Sequence, residues 1–174
     1  MSSWRQSIIV LLFIIVAAIA QGRGAHAISV RLAEPDFLLV TLACGAMLIG
    51  GYWGIILGFV AGYLTIALSS DPFLPFGTVL ASRTIAGAFA SGLQRSVIRD
   101  SVWVPPLVVF LTTLVSDCVY AAMAPRTWLH HPHDWFAPQG GQIIFNTVLS
   151  YPLYLVLRRF GVGSHKEDPF GIVD

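Results

Sequence analysis

The sequence predicts an all-α, polytopic membrane bundle of about six transmembrane helices, forming a single domain over residues 1–174. Three observations carry this. The chain is 56% hydrophobic and 11% charged, with a mean hydropathy of +0.75, whereas a soluble domain carries about 25% charge. Residues 37–68 contain no Asp, Glu, Lys, Arg or His. A continuous helix of that length, at about 1.5 Å per residue, would run roughly 48 Å, well past a hydrocarbon core of about 30 Å. The stretch must fold back, and Gly50–Gly51 is the natural turn. Finally, Gly50, Gly54, Gly58 and Gly62 recur every fourth residue and make a groove along one helix face. Helices associate in lipid through close approach at small residues. The groove is therefore expected to organise the packing of the other helices.

The expected spans are residues 7–22, 36–49, 52–68, 76–93, 101–124 and 142–157. The first follows Trp4 and Arg5, an interfacial aromatic and a basic start. It also has signal-peptide features, with Ala18-Ile19-Ala20 or Ala25-His26-Ala27 as cleavage sites, but the apolar spans that follow favour a retained helix. Pro35-Asp36 opens the second span, with proline near the first turn and an acid at the positive end of the helix dipole. The second and third spans are short for a membrane. The fourth is rich in small residues (Ala81, Ser82, Gly87, Ala88, Ser91, Gly92) and is the expected partner of the glycine groove. Pro105-Pro106 is tolerated near the start of the fifth, residues 125–141 read as a polar and aromatic loop, and the sixth ends at Arg158-Arg159.

Orientation follows from Lys and Arg. With the amino terminus inside, Arg5, Arg95, Arg99, Arg158, Arg159 and Lys166 are cytoplasmic, against Arg23, Arg31 and Arg126 outside. This bias places both termini in the cytoplasm. The basic residues form no stripe, so nothing points to nucleic acid.

Two ionisable residues fall inside spans, where such residues mark function by default. Arg83 and Asp117 each lie seven residues from the outer end of their span, about 10 Å deep. They are expected to pair, since an isolated charge there costs roughly 2.5–3.5 kcal/mol. His130-His131-Pro132-His133-Asp134 resembles a metal site, but the proline breaks helical spacing, and a loop at headgroup level is the simpler reading. Cys44 and Cys118 sit in apolar segments without metal or redox companions. No nucleophile elbow, HExxH or phosphate loop occurs, so neither an enzyme nor a cofactor is expected.

Three stretches together resemble the rod shape-determining MreD family. They are Pro35-Asp36 followed by an aliphatic run, Gly50–Gly51 with the Gly54–Gly62 segment, and the Ser69–Gly77 loop with its Pro72 and Pro75. The closing pattern Asn146, Pro152, Leu157-Arg158-Arg159 is similar as well. The chain departs from the family at Ile66, where relatives tend to carry an Asp. The resemblance implies a non-enzymatic inner-membrane scaffold of the bacterial cell-elongation and peptidoglycan-synthesis machinery. Such a scaffold binds an MreC-like bitopic protein and, through it, MreB-like filaments and peptidoglycan synthases. It also implies likeness to the substrate-binding subunits of energy-coupling-factor transporters. A vitamin-type binding subunit is therefore the alternative, with Arg83, Asp117, Tyr120, Trp128 and Asn146 as candidate pocket residues. The residues expected to pack helices or bind a partner are Gly50, Gly54, Gly58, Gly62, Gly87 and Ser91. Pro35, Asp36, Asn146 and Pro152 are expected to be structural.

Overall fold

The computed structural model describes residues 3–24, 34–69, 74–93, 103–124 and 132–163. These form six helices and no strand: α1 (Ser3–Gly24), α2 (Phe37–Ile49), α3 (Trp53–Leu68), α4 (Phe76–Leu93), α5 (Val104–Met123) and α6 (Pro132–Arg159). Among the described residues, three segments are long and apolar enough to cross a membrane, namely Trp4–Gly22, Val104–Met123 and Pro138–Arg159. At 13 and 16 residues, α2 and α3 reach only about 20 and 24 Å, short of a full hydrocarbon core.

The centre of the bundle is α2. Every residue from Leu38 to Met47 is buried, and the helix packs against all five others. Its sequence, FLLVTLACGAMLI, is apolar on every side, so it has no face that needs water or headgroups. Small residues at Ala43, Cys44, Gly45 and Ala46 let neighbours approach closely; a Cβ at Gly45 would overlap the Val10 side chain of α1. The remaining helices form an arc around it in the order α1, α3, α4, α5, α6. Phe13 of α1 and Phe160 after α6 meet edge-to-face, with centroids 5.4 Å apart, and draw the ends of the arc together. The expectation that the bundle is organised around the glycine groove is thus corrected: α2 is the hub, and the groove joins two members of the arc.

The groove itself is a seam between antiparallel α3 and α4. Gly54 lies against Gly87 and Ser91, Gly58 against the backbone of Arg83 and Thr84, and Gly62 against Leu80 and Arg83. Gly50 does not belong to it. It ends α2 with φ at +72°, followed by Gly51 at +64°, and its N–H bonds the Ala46 carbonyl at 2.8 Å. Both glycines serve the reversal of the chain, because L side chains are disfavoured at those angles.

The other departure from expectation is α6, which begins at Pro132, ten residues before the expected start at 142. His133 and Asp134 are therefore helical rather than part of a loop, while His130, His131 and Trp128 lie outside the described residues. Proline fits a first helical position, and Pro138 and Pro152 inside the helix each remove one backbone bond. Around Pro152, side chains take up nearby carbonyls: Ser150 Oγ donates to Thr147 O at 2.6 Å and Thr147 Oγ1 to Ile143 O at 2.7 Å.

Candidate functional site

The polar groups of the interior converge on the amino-terminal end of α2. Asp36 caps this helix, with Oδ1 accepting from the Leu39 N–H at 2.8 Å. Its other oxygen, Oδ2, takes the Arg83 guanidinium of α4 through Nη2. Its own backbone N–H donates to Asn146 Oδ1 of α6 at 2.9 Å. Asn146 is fully buried, and its Nδ2 donates in turn to Thr113 Oγ1 of α5 at 3.4 Å. Thr113 completes the chain by donating to the Val109 carbonyl at 2.9 Å. From the other side Gln21 of α1 holds the same turn twice: Nε2 donates to Pro35 O at 3.0 Å, and Oε1 accepts from the Phe37 N–H at 2.8 Å. Five helices are therefore tied at Pro35–Phe37.

The Arg83–Asp117 pair expected from the sequence is replaced by Arg83–Asp36. The reason is the shortness of α2. A 13-residue helix enclosed by longer ones begins well below their ends, so Asp36 lies level with Arg83, eight residues into α4. Both side chains are shielded, at 13% exposure for Arg83 and 6% for Asp36. Asp117 lies on α5 one turn beyond Thr113, the last member of this bonded chain. Its Oδ2 is buried without a hydrogen-bond partner, as is Arg83 Nη1. The other residues singled out in the sequence lie apart from this cluster: Gly54, Gly58, Gly62, Gly87 and Ser91 in the α3–α4 seam, Gly50 in the turn, and Pro152 with an exposed ring in α6. Gln21 and Thr113 were not anticipated. Their signal in the sequence is an uncharged polar side chain at the end of, or within, an apolar run, which many satisfied membrane residues share.

Chemically the arrangement is a clamp. A carboxylate, a guanidinium, two amides and a hydroxyl bond one another or the Pro35–Phe37 backbone across helix boundaries. Among the described residues there is no group of three or more His, Cys, Asp or Glu placed to hold a metal ion. Comparison with family models, with characterised proteins and with solved structures gives no match. The functional reading therefore rests on the residues alone.

The clamp predicts a measurable loss at Asn146. Leucine there would leave the Asp36 N–H buried without an acceptor, while Thr113 keeps its bond to Val109. The expected cost is about 1–3 kcal/mol, the desolvation penalty of one orphaned donor. Thermal unfolding of Asn146→Leu in detergent checks it, and Thr113→Val should cost less.

Proposed function

We propose that the protein is a non-enzymatic scaffold of the bacterial inner membrane, of the MreD type, which docks an MreC-like bitopic protein and through it serves cell elongation. Both termini face the cytoplasm in this reading, as the distribution of Lys and Arg favours. The observation that carries it is the internal use of the polar side chains. A vitamin-type subunit would present Arg83 and Asn146 to a ligand. Here Arg83 is bonded to Asp36, and Asn146 bridges Asp36 and Thr113. Residues that carry the family resemblance fall on the joints of the bundle: Pro35-Asp36 at the clamp, Gly54, Gly58 and Gly62 in the seam, Asn146 between α2 and α5. They act on the shape of the bundle, which is what a docking protein supplies.

One feature of the docking expectation is revised. The face of α3 that bears Gly54, Gly58 and Gly62 is covered by α4, so a partner meets the bundle elsewhere. Affinity purification of the tagged protein from bacterial membranes, with identification of what accompanies it, tests the proposal. An MreC-like bitopic chain is the expected companion. Recovery of an ATPase-bearing transport module in its place, or tight retention of a small molecule, would overturn the scaffold reading.

A further inference from the structure

Arg83 is the cation of a cluster that contains two carboxylates, contributed by different helices. One of them, Asp36 of α2, already holds Nη2. The other, Asp117 of α5, stands one helical turn beyond Thr113, the residue that Asn146 ties to Asp36, and makes no ion pair with the guanidinium. The two atoms left over are complementary: Nη1 of Arg83 is a donor and Oδ2 of Asp117 an acceptor, each buried and each without a partner. Buried polar atoms rarely stay unpaired, because desolvation is not repaid. A guanidinium carries donors on two nitrogens in a planar fork, so it can serve two carboxylates at once or pass from one to the other. Helices α2, α4 and α5 pack against one another pairwise, so the elements that carry the three groups are mutual neighbours.

We propose that Arg83 is a shared cation and Asp117 its alternative anchor, so that α4 can be latched to α5 as well as to α2 through the same side chain. The groups facing Arg83 in this device are Asp36 from α2 and Asp117 from α5, with Asn146 of α6 holding the backbone of Asp36. The latch gives the bundle two arrangements of one ion pair, and a load on α2 or α5 would shift the balance between them. It concerns this chain's own helices and holds whichever partner the bundle serves.

A double-mutant cycle separates a shared cation from a private pair. Asparagine is isosteric with aspartate and remains a good N-cap, so Asp36→Asn removes charge while keeping the bond to Leu39. Asp117→Asn alone should leave the melting temperature in detergent nearly unchanged, because no direct bond is lost. In the Asp36→Asn background the same change should lower it by about 5 °C or more, since Arg83 then has no carboxylate left. On an Arg83→Leu background the difference between the two contexts should vanish. Additive effects of Asp36→Asn and Asp117→Asn would overturn the proposal. A second measurement needs only Asp117→Asn in the otherwise intact chain, labelled with 15N-arginine. The Arg83 guanidinium resonances should move if the side chain is shared. Unchanged resonances would overturn the proposal even if the Asp36 variants fail to accumulate.

Discussion

Leucine in place of Gly58 should leave no folded bundle to purify. A Cβ at this position would lie 2.5 Å from the Arg83 carbonyl oxygen and 2.9 Å from the Thr84 Cα. Both are backbone atoms of α4, so no side chain can turn aside to make room; the two helices would have to separate. Forcing extra atoms into a packed interior typically costs about 1–3 kcal/mol, and alanine alone meets this clash. Leucine adds three further carbons. Separation also has a consequence for the clamp, because Arg83 rides on the part of α4 that faces Gly58 and would be drawn from Asp36. The expected result is aggregation or loss of the monodisperse peak in detergent chromatography, with Gly58→Ala retained but less stable. Gly22→Ala and Gly92→Ala are the controls. Nothing lies within 4 Å of a Cβ at either position, so they should be neutral or slightly stabilising. A Gly58→Leu protein with the wild-type melting temperature would refute the seam.

How much of this was legible beforehand depends on the kind of signal. The all-helical class and the reversal at Gly50–Gly51 follow from local chemistry: an uncharged stretch too long for one crossing, interrupted by two glycines. The start of α2 at Pro35-Asp36 is local too, since cap and proline act within one turn. The partner of Arg83 was not legible. Depth counted from the ends of spans assumes that every helix begins at the membrane surface. Asp36 begins a helix enclosed by others, and the clue was the length of α2 combined with its apolar character on all sides. The early start of α6 escaped for a different reason. Pro132 and Pro138, with histidines between and before them, carry the composition of a loop, yet each proline removes only one backbone donor. A proline at the first helical position costs the helix nothing, so the composition of a loop is compatible with a helix start at Pro132.

The second large effect is expected at Asp36, where one carboxylate holds two structures. Alanine would remove the cap on Leu39, a loss of about 0.5–2 kcal/mol. It would also strip Arg83 of its bonded anion. Breaking a buried pair by deleting one member typically costs about 3–5 kcal/mol, because the remaining charge stays desolvated. The nearby Asp117 can recover part of the second term and none of the first. Asp36→Ala should therefore be clearly less stable than Asp36→Asn, which keeps an acceptor for the Leu39 N–H. Combining Asp36→Ala with Arg83→Leu should bring stability back toward that of the cap loss alone, since the stranded charge is gone. Melting curves of the three variants in one detergent check this order. Equal losses for alanine and asparagine would mean that the cap contributes nothing. A double variant weaker than Asp36→Ala would mean that the guanidinium is held by something other than its charge, and the clamp would have to be redrawn around packing of the Arg83 stem.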